Sequence, residues 1–448
     1  MSSADSLPTP SIQSDEYEAI ALSASDKSTR AEASLLELTS VELPASKADR
    51  VLDEAVNQAI DHLITDDFQS QWDQAKQFSK QFAEWGDRVV PALIQRLEQT
   101  EDPDSQWILV RILSQFRQPA VVETLSRLLV TTPDATLQTE VIKALTNQGT
   151  QAIATLSNLL QQQTLSNKRL AVRTLARIRR SGTIEPLLSV AADTDMETRA
   201  IALEALGSFH DPRVTPVLIA ALEDKPIIAI EAIRTLGRRR DLIETVDLVA
   251  SLQPHLHSRD RRVATESAIA LGRLGTESAA IALSQSLQAP LPTSVKAAAA
   301  RALGWLDIPS ATTGLAAAFA LEAPIVTTEV RQAIAQALSQ TQQEALKLTA
   351  AEPLLDWLGN VPTLNVDAET VRLKQTVITA LAQIGNCDAI DNLLPLLADS
   401  DRRIPMHVLN ALKQIDPQSA KYKVNTYLQS TPLSEPQKAE LMSQMSDW

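Results

Sequence analysis

A small residue followed by leucine recurs along this chain at nearly constant spacing. That recurrence constrains the fold more than any other feature. The leucines are Leu113, Leu145, Leu175, Leu206, Leu236, Leu271, Leu303, Leu338, Leu381 and Leu412, separated by 32, 30, 31, 30, 35, 32, 35, 43 and 31 residues. Around Leu206 the phrase runs from Met196 to Asp224 and reads as two short helices. Ile201, Ala202, Ala205 and Leu206 lie at helical spacing in the first, which stops near Gly207. His210-Asp-Pro makes the turn, because the residue before a proline is pushed out of the α region. Val214, Val217, Leu218 and Leu222 carry the second helix. A pair this short cannot bury its own apolar faces and must lean on copies of itself.

Two further positions keep register with each anchor leucine. Eight residues earlier sits an apolar side chain: Leu137, Ile228, Val263, Val295, Val330, Leu373 or Ile404. One residue later there is often a base: Lys168, Arg199, Lys296, Arg331 or Lys374. Glycine follows the anchor directly at Gly207, Gly237, Gly272 and Gly304. Ser294-Val-Lys-Ala-Ala-Ala-Ala-Arg-Ala-Leu-Gly304 and Glu329-Val-Arg-Gln-Ala-Ile-Ala-Gln-Ala-Leu338 are the clearest copies, with Val263 to Gly275 a partial one. These phrases resemble the HEAT-like repeat of the phycobilisome-lyase type, over roughly residues 68–430. The resemblance implies an all-α fold, a right-handed α-solenoid (superhelix) of about ten to eleven helix pairs, and a cyanobacterial setting. It says little about function, since such repeats serve many unrelated tasks.

Four regions follow from patterning. Residues 1–46, rich in Ser, Thr, Ala and Glu, are expected to be disordered. Residues 47–103 are expected to form capping helices and an atypical first repeat, with Phe68, Trp72, Phe78, Phe82 and Trp85 in its core. The repeat array occupies 104–430, and 431–448 is a polar tail with a final short helix. The stretch Pro254 to Ser258 lengthens one repeat, and the gap from Leu338 to Leu381 lengthens another; both are expected to be loops.

Hydrophobic residues make up 44% of the chain but aromatics only 3%, so alanine and leucine must do the packing, as thin helix-on-helix contacts require. The single cysteine, Cys387, excludes an internal disulfide and fits a reducing compartment. With no apolar run of membrane-spanning length and no signal-peptide pattern at Met1, the expectation is a cytoplasmic protein. The net charge of −14 is uneven: residues 1–104 hold 8 Lys and Arg against 21 Asp and Glu, whereas 168–273 hold 17 against 14.

No catalytic set is legible. The chain lacks a Gly-rich phosphate loop, a His-Glu-x-x-His motif and a Cys-x-x-Cys pair. None of the five histidines is followed by Glu, so the iron-binding His-Glu pairs of hydroxylases built on this repeat are missing. His255 and His257 would need ligands from elsewhere to hold a metal, and Cys387 has no evident basic partner. No catalytic residue, metal or cofactor is assigned.

The basic residues are more informative. A base seven positions before the anchor lies about 20° from it around the helix, on the packed side, and reads as structural. Positions two before and two after the anchor lie about 160° away, facing outward. There the sequence places Arg111, Lys143, Arg173, Arg177, Arg234, Arg238, Arg273, Arg301 and Trp305, with Glu204 as the exception. Stacked repeats would align these as a basic ridge on the concave side, suited to carboxylate or phosphate.

Three functions compete. The first is a non-catalytic interaction scaffold or adaptor whose ridge takes an acidic protein; the resemblance implies phycobilisome assembly, bilin handling or turnover, with a phycobiliprotein-like subunit as partner. The second, also implied by the resemblance, is a bilin lyase or lyase subunit, though lyases of that family are shorter and lack the acidic N-terminal extension. The third is nucleic-acid binding, which the mid-chain balance of +3 disfavours. The acidic N-terminal segment could also compete for the ridge.

Overall fold

The computed structural model describes residues 54, 57, 58, 86–162, 164–362, 364, 367–431 and 434–445. The 1–46 segment, most of the expected cap with its five aromatics, and Trp448 lie outside the described residues. Contacts divide the chain into two compact units, Met1–Arg180 and Ser181–Trp448. The first contains α1 (Val90–Gln99), α2 (Pro103–Leu113), α3 (Pro119–Thr131), α4 (Ala135–Gln148), α5 (Thr150–Leu160) and α6 (Leu165–Ile178). The second contains α7 (Ile184–Val190), α8 (Met196–Leu206), α9 (Val214–Ala221), α10 (Pro226–Leu236), α11 (Leu248–Leu252), α12 (Arg261–Leu274), α13 (Glu277–Gln288), α14 (Thr293–Gly304), α15 (Pro309–Phe319), α16 (Thr328–Leu338), α17 (Glu344–Asn360), α18 (Ala368–Ile384), α19 (Ala389–Leu393), α20 (Arg403–Ile415), α21 (Pro417–Ser430) and α22 (Glu435–Gln444). Among the described residues there is no strand.

The even-numbered helices α2 to α20 carry the anchors, and all ten anchor leucines are fully buried. Each such side chain removed from water contributes about 1.5–3 kcal/mol. The starts of these helices are chemically marked. Asp102, Asp134, Asp195 and Asp367 accept backbone N–H bonds from Ser105 (2.8 Å), Leu137 (2.6 Å), Thr198 (3.0 Å) and Thr370 (2.8 Å). Pro119 and Pro309 open second helices, where their missing N–H costs nothing.

Within each unit, first helices pack on first helices: α2 on α4 and α4 on α6 in one, and α8 through α10, α12, α14, α16 and α18 to α20 in the other. The post-anchor glycines set this spacing. A Cβ on Gly237 would lie 2.7 Å from the Cα of Ala270, and one on Gly304 2.9 Å from the Cα of Ala337. Gly207 and Gly237 keep right-handed helical φ values of −59° and −63°, so they do not end the helix by a left-handed turn. They let the next helix approach at backbone distance.

The bases seven residues before the anchor form the ladder read from the sequence. Arg199 donates to the carbonyls of Asp193 (2.6 Å) and Thr194 (3.2 Å) before its helix, and to Asp224 (3.1 Å) on the loop leading into the next first helix. Lys374 does the same with Pro362 O (2.6 Å) and Asp399 (2.6 Å). Arg331 bonds Leu321 O (2.5 Å) and Lys296 bonds Ile325 O (2.6 Å). Gln106 and Gln138 occupy the same rung and donate to Thr100 O (2.6 Å) and Leu129 O (3.4 Å). A second link lies three residues past the anchor, where Gln148 donates to Phe116 O (3.0 Å) and Arg239 to Phe209 O (2.9 Å).

Neither expected insertion is a plain loop. Gln253–His257 forms a 3-10 turn that continues α11, and its Leu256 is buried. The 43-residue interval lengthens α17 and α18 to 17 residues each, with only 361–367 between them. Apolar residues at packing positions turned the extra length into helix. The tail helix α22 also packs, burying Leu441 and Met445 at its end.

Gly237→Ala is expected to destabilise the protein by about 1–3 kcal/mol in urea unfolding, despite alanine's better helix propensity, because the methyl meets backbone. Gly359→Ala, whose methyl meets nothing within 4 Å, should be neutral or slightly stabilising. Lys374 and Asp399 have no side-chain exposure. Lys374→Met alone should therefore cost about 3–5 kcal/mol, while K374M with D399L recovers most of the loss, because the single change strands a buried carboxylate.

Candidate functional site

The outward face of the first helices is the candidate site. The nine ridge positions fall in both units, and each group takes its geometry from its own unit. In the first, the Arg111 guanidinium lies over the Trp107 ring at 5.3 Å and 4.0 Å from Glu140. Lys143 pairs with the same carboxylate at 3.0 Å. Glu140 is itself buried, so the two cations close over an internal acid. Arg173 and Arg177 are exposed on α6.

In the second unit Arg234 on α10 donates to Glu266 on α12 (2.6 Å) and to Glu231 one turn back (3.1 Å). Glu140 and Glu266 are equivalent: each stands five residues before its anchor and neutralises the base of the preceding first helix. Sequence reasoning missed them. They lie about 140° from the anchor, in the same outward sector as the arginines, and that angle was the available signal.

Arg238, Arg273 and Arg301 differ. All three are exposed, and among the described residues no carboxylate lies within 4.0 Å of them. The glycine contacts fix their register. Gly272 meets Ala302, so Arg273 on α12 flanks Arg301 on α14. Trp305 lies one turn after Arg301 and is 50% exposed. Arg238 follows Arg234 by four residues, in the turn just past the end of the neighbouring α10. The structure thus gathers Arg238, Arg273, Arg301 and Trp305 at the C-terminal ends of three adjacent helices, while the charges of Arg111, Lys143 and Arg234 are already paired within the chain.

A groove of roughly 420 Å³ between α10 and α12 adjoins this patch, lined by Ile227, Ile230, Arg234, Arg262, Thr265 and Glu266 among others. Arg262 adds little free charge there. Its guanidinium and backbone N–H bond Asp260 (2.9 Å each), holding that carboxyl down at about 2. Ile227 is 52% exposed at the groove's rim.

The remaining candidates are scattered. His210 stands 3.8 Å from Asp241 and His255 3.7 Å from Glu223; His257 is exposed, and Cys387 is exposed and free. Among the described residues no group of three or more His, Cys, Asp and Glu side chains is placed to hold a metal, and no helix is long and apolar enough to cross a membrane.

The family model for HEAT repeats matches residues 90–166, 153–229 and 224–304. No curated protein matches the sequence significantly. Among solved structures, Kap121p bound to Pho4p is similar at 13% identity over 91% of this chain, with a TM-score of 0.55; this chain spans about half (51%) of that one. The CpcE–CpcF complex of phycocyanin lyase from Nostoc sp. PCC7120 matches at 23% identity over 59% of this chain and 94% of that one, with a TM-score of 0.30. Human deoxyhypusine hydroxylase matches at 22% identity over 59% and 96%, with a TM-score of 0.26. At these identities the likeness is one of fold, and the fold is a HEAT-type α-solenoid.

Proposed function

We propose that this protein is a non-catalytic interaction scaffold that takes an acidic protein on the first-helix face of α10, α12 and α14. The observation that carries this reading is the cluster of Arg238, Arg273 and Arg301, exposed and with no carboxylate within 4.0 Å among the described residues, beside the half-exposed ring of Trp305. An arginine fork receives a carboxylate through two parallel hydrogen bonds, and an indole offers flat apolar contact. Such charges act on encounter rate and partner choice more than on raw affinity. Arg111, Lys143, Arg173 and Arg177 belong to a second, partly neutralised surface and are secondary in this reading. The phycobilisome setting rests on the sequence resemblance, which makes phycobiliprotein subunits the first partners to try.

The test measures binding of purified phycocyanin and of an end-blocked poly-glutamate peptide by fluorescence anisotropy. R238E/R273E/R301E is expected to weaken binding by about tenfold or more, with the loss shrinking at high salt. Arg402→Glu, on the loop before α20, should leave it unchanged. Glu266→Gln, which releases Arg234, should strengthen it about two- to threefold. If the triple reversal binds both probes as wild type does, or neither probe binds at low salt, the reading is wrong.

A further inference from the structure

Not every cationic rung of the ladder holds an aspartate: Arg331 and Lys296 bond carbonyls alone, and of these two Lys296 is the buried one. Arg199 and Lys374 each hold carbonyls and also an aspartate 25 residues ahead, on the loop leading into the next first helix. Lys296 stands on the same rung and is nearly as enclosed, 4% exposed. Its ammonium donates to Ile325 O at 2.6 Å. Among the described residues no carboxylate comes within 4.0 Å of it, so the aspartate's place is untaken. An ammonium has three hydrogens to donate, and a buried one without a counter-ion is unfavourable. Burial pushes Lys296 below the ordinary lysine range.

The missing partner would have room. Lys296 lines a pocket of about 250 Å³ between the loops leading into α14 and α16. Leu291 and Thr293 form one wall, and Pro324, Ile325 and Thr327 form the other. The N-cap of α14 is Pro292, which supplies no side-chain cap, so the positive end of the helix faces this pocket without an internal acceptor side chain. Apart from Lys296 the walls are mostly apolar, with the hydroxyls of Thr293 and Thr327 and the amide of Gln288, and the volume is below that of drug-sized sites. A short aliphatic chain ending in a carboxylate fits this chemistry.

We infer that the pocket between the loops preceding α14 and α16 is a binding site for a small aliphatic carboxylate, with Lys296 as its counter-ion. The ligand is either a free acid or an acidic side chain presented by another protein. The pocket is separate from the arginine patch, so either proposal can fail without the other.

Calorimetry on the full chain tests this with three probes: butyrate for the free acid, the end-blocked peptide Ala-Glu-Ala for the side chain, and butyramide as the neutral control. At least one carboxylate should bind one-to-one and raise the melting temperature, and butyramide should not. Binding of butyrate alone assigns a free acid; binding of the peptide alone assigns a partner's side chain. Lys296→Met is expected to lower affinity by about tenfold or more. Should that variant fold poorly, Ile325→Glu decides: this exposed position lines the pocket, so the new carboxylate occupies the site from within. I325E should then melt no lower than wild type and lose the carboxylate response. Absence of binding by both carboxylates, equal binding of butyramide, or an unchanged response in I325E overturns the inference.

Discussion

The structure depends on how closely consecutive first helices approach. A Cβ on Gly237 would sit 2.6 Å from the Cβ and 2.7 Å from the Cα of Ala270, so nothing longer than an alanine methyl stands between the two backbones. Interiors at crystal-like density tolerate little error at such a contact. One consequence is compositional. The residue after the anchor is glycine or small through most of the array, and the residue before the next anchor is usually alanine, as at Ala270, Ala302 and Ala337. A second consequence is register. Once the residue after one anchor meets the residue before the next, every outward position is placed relative to its neighbour. Arg273 is brought beside Arg301 by this contact and by nothing in their own chemistry.

Polar side chains then hold what the glycines bring together. A solenoid leaves backbone carbonyls unpaired at every loop, and buried ones must find donors. Long donors on the rung seven residues before the anchor reach them, whether the head is guanidinium, ammonium or amide. This explains why Gln106 and Gln138 substitute for bases, since the carbonyls need a long donor whether charged or not. It also separates two populations of cations that composition merges. Arg199, Lys296 and Lys374 are structural and buried, whereas Arg238, Arg273 and Arg301 face outward.

Much of the fold was legible in the sequence because the anchor spacing is a one-dimensional signal and the packing is nearest-neighbour. All ten anchors and the apolar residues eight before them are buried. The ladder followed from a helical angle alone. The face was harder, because its electrostatics depend on the neighbouring helix. Arg111 and Arg234 read as free cations until Glu140 and Glu266, about thirty residues away in sequence, are placed against them. Extra length was misread for a similar reason. The turn Gln253–His257 packs against α12 with Leu256 buried, a tertiary contact that lets a proline-interrupted insertion become a 3-10 turn.

The uncompensated arginines remain to be explained energetically. Two unit charges about 8 Å apart in water repel by only about 0.5 kcal/mol, and salt reduces that further. A patch of Arg238, Arg273 and Arg301 therefore costs the fold little, and stability alone gives no reason to neutralise it. Stability gives no reason to assemble it either, since glutamine stands at comparable outward positions in Gln336, Gln340 and Gln383 without harm to the packing. What distinguishes α10, α12 and α14 is charge held in a register that the helix contacts make rigid. A partner's carboxylates arriving there would gain hydrogen bonds from guanidinium groups that need not be drawn out of internal ion pairs. The same carboxylates at Arg111 or Arg234 would first have to displace Glu140 or Glu266.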